Sequence, residues 1–142
     1  MNTSRQLLLI INPVSGIGSK DTIEPLVRSR LEPLGFEIST AYTCAHGDAT
    51  RLAGNAVDAG FYGVIAAGGD GTVNETAAAL CHSNTALGII PCGSGNGLAR
   101  HLGIPLDPLS AVKIIAENHI VKSDYGAVND MPFFCTFGVG FD

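Results

Sequence analysis

Three continuous apolar runs constrain this chain more than any other feature: Leu7–Ile11, Phe61–Ala67 and Leu87–Ile90, each closed at once by asparagine, glycine or proline. Strands that are apolar throughout fit a sheet covered on both faces, not one with a wet side. A fourth run, Phe36–Tyr42, alternates instead, with Phe36, Ile38, Thr40 and Tyr42 set against Glu37, Ser39 and Ala41. Between the runs the period changes. Ile23, Leu26, Val27, Leu31 and Leu34 recur at helical spacing, with Glu24, Arg28 and Arg30 among them and Gly35 as the stop. Leu52, Ala53, Ala56 and Val57 mark a second helix that ends at Gly60, with Asp48 placed to cap its start. Further helices are predicted from Thr72 to Cys81, Asn96 to Leu102 and Leu109 to Glu117. Strand alternating with helix predicts a three-layer α/β domain on a parallel, Rossmann-like sheet with right-handed crossovers.

The last residues read differently. Val121–Val128 and Phe133–Val139 are strand-like and flank a turn signal at Asn129–Asp130, which is a hairpin pattern. A hairpin alone is marginal in water. Residues 1–120 are therefore expected to form a nucleotide-binding α/β domain, and residues 121–142 the first strands of an incomplete β-sandwich domain. The unpaired apolar edge of Phe133–Val139 predicts a homodimer through that exposed edge, or strand exchange.

With 142 residues, of which 46% are hydrophobic and 15% charged, there is room for one well-filled core. The net charge of -5 argues against nucleic acid as a partner and against electrostatic adhesion to an acidic membrane, while leaving room for a local phosphate site. No run reaches the roughly 20 apolar residues of a membrane-spanning helix. The opening stretch MNTSRQLLLIINP reads as a first strand and not as a signal peptide. Cys44, Cys81, Cys92 and Cys135 form no closely spaced pair, so buried thiols in a reducing cytoplasm are expected and no metal site.

Three of the strand ends carry loops rich in glycine: NPVSGIGSK after the first, GGDGTVNE after the third and PCGSGNGLAR after the fourth. In an open parallel sheet these loops leave from one edge, where helix N-termini offer free N–H groups. Such a rim of backbone donors suits a polyphosphate. Leu98 stands where a dinucleotide fingerprint needs its third glycine, and Lys20 lacks the Gly-Lys-[Ser/Thr] context of a P-loop. Asp70 lies between Gly69 and Gly71. Capping of the following helix would explain a carboxylate there, yet Thr72 can serve as that cap, and bare backbone on both sides admits a close ligand. A carboxylate in an anion-binding loop suits phosphoryl transfer, accepting a hydroxyl proton or helping to hold Mg²⁺. Asn74 and Glu75 are near enough to reach the same ligand, although dipole stabilisation explains Glu75 equally well.

Taken together, NPVSG, GGDGTVNE and PCGSGNGLAR resemble the catalytic domain of diacylglycerol kinases, sphingosine kinases and bacterial lipid kinases. YTCAHGDATRLA is similar to that family's Thr-x-x-x-Gly-His-Ala segment, and CTFGVGFD to the opening of its second, β-sandwich domain. The resemblance implies transfer of the ATP γ-phosphate to a lipid alcohol such as diacylglycerol, with Mg²⁺, in the cytoplasm and with peripheral membrane contact. It implies Asp70 as the catalytic carboxylate. Asn12 and Ser15 would lie on the first nucleotide loop, and Thr43 would contact the nucleotide. Gly68, Gly69, Asp70, Gly71, Thr72 and Asn74 would wrap the phosphates. Gly93 and Ser94, the latter in place of the usual Thr, would reach a phosphate, with Asn96 nearby in the cleft. Asp48 departs from the usual His. The GGDGT loop also occurs in NAD kinases and phosphofructokinases. An NAD kinase-like enzyme and a non-catalytic nucleotide-binding module are accordingly the two rival readings, the first opposed by NPVSG and PCGSGNGLAR.

Overall fold

The computed structural model describes residues 5–13, 20–81, 83–93, 95–117, 120–122, 127–128, 131–132 and 136–138. Strand β1 (Arg5–Ile11) leads through a 3₁₀ turn to α1 (Ile23–Leu31), followed by β2 (Phe36–Tyr42), α2 (Asp48–Asp58), β3 (Gly63–Gly68) and α3 (Asp70–Leu80). Then come β4 (Ala86–Pro91), α4 (Gly97–Leu102) and α5 (Pro108–Ala116). The four strands form one parallel sheet in the order β2-β1-β3-β4. Leu9 sits between Thr40 of β2 and Ile65 of β3. Helix α1 packs beside α5, and α2 beside α3, giving the three layers expected from the alternation of periods.

Burial explains the patterning. Every residue of β3 and β4 is buried, as their unbroken apolar runs require. The alternating strand β2 is an edge, with Phe36 and Ile38 turned inward and Glu37 and Ser39 exposed. Ile23, Val27 and Leu31 form the buried stripe of α1. Gly35, at φ +97°, ends the 3₁₀ turn that follows it.

The sheet sets up the site through its order. From β1 the chain turns to one side for β2, then crosses back to β3 and continues outward to β4. The crevice between the carboxyl ends of β1 and β3 is therefore a topological switch point, where open sheets of this type bind ligands. The backbone ladder also runs one residue past three strands. The N–H of Asn12 donates to Ala67 O at 3.1 Å, that of Thr43 to Ile11 O at 3.0 Å and that of Cys92 to Gly68 O at 2.9 Å. All four strand-end loops thus leave from one rim.

Four expectations need adjusting. Strand β3 begins at Gly63, two residues later than the sequence suggests, because Phe61 and Tyr62 belong to the turn entering it. Helix α3 begins at Asp70, two residues before Thr72; Gly69 is its N-cap residue and no side chain caps it. Asp48 is the first residue of α2 and not its cap, a place taken by Gly47 at φ +94°. Of the cysteines, Cys92 is buried and Cys81 half-buried, but Cys44 is exposed, because it lies in the loop beyond β2; Cys135 lies outside the described residues.

At the far end, β5 (Ile120–Lys122) pairs antiparallel with β8 (Thr136–Gly138), and β6 (Ala127–Val128) pairs antiparallel with β7 (Met131–Pro132). Antiparallel pairing about residues 129–130 agrees with the hairpin pattern. Most of Phe133–Val139 lies outside the described residues; its described part has β5 along one side and runs close to β4.

Candidate functional site

The site is built from glycines that let backbone touch backbone. A Cβ on Gly93 would stand 2.6 Å from Gly69 Cα, and one on Gly68 would stand 2.8 Å from Thr72 Cβ. Both are closer than packed atoms allow, so the β3–α3 and β4–α4 loops meet only because Gly93 lacks a side chain, and Thr72 folds back on the end of β3 only because Gly68 does. Asp70 lies at that meeting. Its Oδ1 accepts a hydrogen bond from Gly97 N–H at 2.6 Å, and a Cβ on Gly95 would come within 2.7 Å of its Oδ2. The carboxylate does not cap its own helix. It reaches across the rim to the first N–H of α4.

On the other side of the first turn of α3 is a cleft of about 480 Å³. Asn12 from the end of β1, Thr43 from the end of β2, and Gly71, Thr72 and Glu75 from α3 line it. Asn12 Nδ2 donates to Thr72 Oγ1 at 3.3 Å across the switch point, and Thr72 is buried. Thr72 is therefore a brace between β1 and α3 and not a cap. Gly71 differs from the other glycines of its loop. It is helical, its φ is not positive, and a Cβ there would meet nothing within 4 Å among the described residues outside its own helix.

Two carboxylates hold the loop after β2. Asp48 Oδ2 accepts from Cys44 N–H at 2.7 Å and from Ala45 N–H at 3.0 Å. Those two amides, with Arg51 at 3.5 Å assisting, hold the Asp48 carboxyl below its ordinary value. Glu75 accepts from Gly47 N–H at 3.1 Å to each oxygen and lies 2.9 Å from His46 Nδ1. Because α3 starts at Asp70, Glu75 falls in its second turn, where the dipole has little hold on it. Its work is to tie the Thr43 loop to α3. A depressed carboxylate stabilises the fold above its unfolded value and ceases to do so as the pH falls through the folded one. Asp48→Asn is accordingly expected to unfold more readily than the parent chain at neutral pH, with the difference shrinking as the pH falls below the ordinary aspartate value of about 3.9 and through the lower folded one. Thermal unfolding of both chains from acid to neutral pH measures this, and a gap unchanged by acid would contradict it.

The residues singled out from the sequence thus fall into two adjoining groups. Asn12, Thr43, Gly71 and Thr72 share the cleft. Gly68, Gly69, Asp70, Gly93 and Asn96 form the packed junction beside it, where Asn96 holds Gly93. Asn74, half-buried, follows Asp70 by one helical turn and so lies on the same side of α3. Ser15 and Ser94 lie outside the described residues. His46 and Gly47, which complete the wall through Glu75, were not among the candidates. Their contact joins residues 28 or more positions apart, and no local pattern announces it. Among the described residues no group of three His, Cys, Asp or Glu could hold a metal, and no helix is long and apolar enough to cross a membrane.

Comparison with known proteins adds to this geometry. Residues 6–128 match the family model of the diacylglycerol kinase catalytic domain. The chain is 39% identical over 127 residues to a protein named diacylglycerol kinase from Staphylococcus saprophyticus, an alignment covering 88% of this chain and 42% of that one. It is 38% identical over 145 residues to a protein named "Probable lipid kinase YegS-like" from Klebsiella pneumoniae, covering 99% and 47%. A crystal structure described as a diacylglycerol kinase from Bacillus anthracis superposes with a TM-score of 0.76 at 29% identity, covering 92% of this chain and 45% of that one. The chain thus spans about half the length of the curated relatives it matches.

Proposed function

Since the chain belongs to the diacylglycerol kinase catalytic domain family, we propose that it is the ATP-binding half of a lipid kinase that transfers the γ-phosphate of ATP to the hydroxyl of a lipid such as diacylglycerol. The observation that carries this reading is Gly71. Inside a helix glycine is less stable than alanine, by roughly 0.5–1 kcal/mol in the interior, and among the described residues nothing would resist an alanine at this second position of α3. The bare position opens on the cleft at the switch point. A ligand pressed against the first turn of α3 gives that glycine a reason to exist.

In this reading Asn12, Ser15 and Thr43 meet the nucleotide from the β1 and β2 loops. Gly68, Gly69, Gly71, Thr72 and Asn74 surround its phosphates, with Gly93 and Ser94 closing from the β4 loop. Asp70 receives the proton of the acceptor hydroxyl. The described residues supply a rim of amides with the Asp70 and Glu75 carboxylates but no group of three metal ligands, so Mg²⁺ would be held chiefly by the phosphates, with Asp70 beside it. What ATP and Mg²⁺ supply is the phosphoryl group and neutralisation of its charge; the chain supplies position and a preorganised field. Residues 1–120 would be the nucleotide domain and residues 121–142 the start of a β-rich one. The lipid would be met by peripheral contact from the cytoplasm.

Transfer of labelled phosphate from ATP tests the reading, with diacylglycerol in mixed micelles and NAD as competing acceptors in the complete protein. Label is expected in the lipid. Label in NAD would favour the soluble-nucleotide kinase, and calorimetric ATP binding without any transfer would favour a non-catalytic module.

A further inference from the structure

Among the described residues Asn96 is the one non-glycine residue with positive φ, +53°, and it is 8% exposed. A buried asparagine in a left-handed turn needs a purpose. Its Oδ1 accepts from the N–H of Gly93 at 2.9 Å, and its Nδ2 donates to the carbonyl of the same residue at 2.7 Å. Reversing the amide would set oxygen against oxygen and N–H against N–H, so the pair of bonds fixes its orientation. The side chain is therefore a two-point clamp on a residue three positions upstream. Gly93 in turn rests on Gly69, at a spacing where a Cβ would stand 2.6 Å from Gly69 Cα. On its other side, the left-handed turn at Asn96 starts α4 and brings Gly97 N–H to 2.6 Å from Asp70 Oδ1. Asn96 thus sits between two contacts that both end on the Gly69–Asp70 segment.

We infer that Asn96 is a positioning residue: by clamping Gly93 it sets the turn that delivers Gly97 N–H to the Asp70 carboxylate, and so fixes where that carboxylate points. The resemblance placed Asn96 beside the nucleotide, but its amide is turned onto the protein's own backbone. Its importance for turnover rests on the reading of Asp70 as the proton acceptor; the clamp itself does not.

Two variants separate the parts. Asn96→Gly keeps the left-handed backbone and deletes both side-chain bonds. Asn96→Asp keeps the acceptor for Gly93 N–H and loses the donor. In amide hydrogen exchange on this chain, Asn96→Gly is expected to speed exchange at Gly93 and Gly97 by about tenfold or more while the β1 amides stay unchanged. Asn96→Asp is expected to keep Gly93 protected. Unchanged exchange at Gly97 in Asn96→Gly would overturn the inference, as would equal acceleration in β1, which would mean that Asn96 merely supports the fold. In the complete protein, Asn96→Gly is expected to lower kcat by about tenfold or more with the ATP KM within about threefold, and Asn96→Asp to recover part of it. A raised KM at constant kcat would make Asn96 a nucleotide contact and overturn the positioning role. No phosphate transfer by the unmodified protein would remove the kinase reading alone, and the exchange results would still decide the clamp.

Discussion

Asp70→Asn in the complete protein is expected to lower turnover by about 10²- to 10⁴-fold, the range that a positioned general base supplies, while ATP affinity stays within about threefold. The substitution keeps the shape of the side chain. An asparagine Oδ1 can still accept from Gly97 N–H, now as a neutral bond about half as strong as the charge-assisted one. The β4–α4 loop should therefore stay where it is, and what disappears is the capacity to take up a proton. Steady-state kinetics with calorimetric ATP titration separates the two effects. Parallel loss of binding and rate would show that Asp70 only fastens the loops together.

A second large effect distinguishes two glycines that a motif would treat alike. Gly93→Ala drives a Cβ to 2.6 Å from Gly69 Cα, backbone against backbone with no flexible end to give way. Overpacking of this kind costs about 1–3 kcal/mol, so a clear fall in Tm is expected, with ATP binding lost as a consequence. Gly71→Ala meets nothing within 4 Å among the described residues outside its own helix and removes a helix-weakening residue. Its Tm is expected to hold or to rise slightly, while the added methyl occupies the space assigned to phosphate and weakens ATP binding by about 5- to 150-fold, the equivalent of 1–3 kcal/mol. Thermal melts and calorimetry on the same preparations decide it. Should Gly71→Ala bind ATP as tightly as the parent chain, the cleft does not hold the phosphates and the proposed function loses its main support.

Period and punctuation carried the sequence reading a long way. Strand β2 spans Phe36–Tyr42 as the alternation predicts, and α2 ends two residues before the Gly60 that flags it, whereas α1 stops at Leu31 and only the 3₁₀ turn after it reaches Gly35. The sequence-based boundaries fail where tertiary contact overrides propensity. Two glycines flank Asp70, and propensity alone starts the helix after them, yet α3 runs through Asp70 and Gly71 because its first turn is held against the β1 and β4 loops. Asp48 looks like a helix cap because aspartate so often is one; a left-handed Gly47 takes that position and frees the carboxylate for the preceding turn. The candidate site was legible as residues but not as a mechanism of assembly. That Asp70 meets Gly97 and Glu75 meets Gly47 depends on contacts 27 and 28 residues apart, for which the chain offers no local sign.

The first two turns of α3 reach every neighbour that matters: Asp70 to the loop before α4, Thr72 to Asn12 after β1, and Glu75 to Gly47 after β2. One rod thus fastens all three ribbons. Changes made in any of them should be felt in the others, so paired substitutions 35 to 85 positions apart will not add as strangers do. Retuning this rim for another acceptor would mean shifting the rod as a whole, since no single ribbon can be redrawn while its tether stays in place.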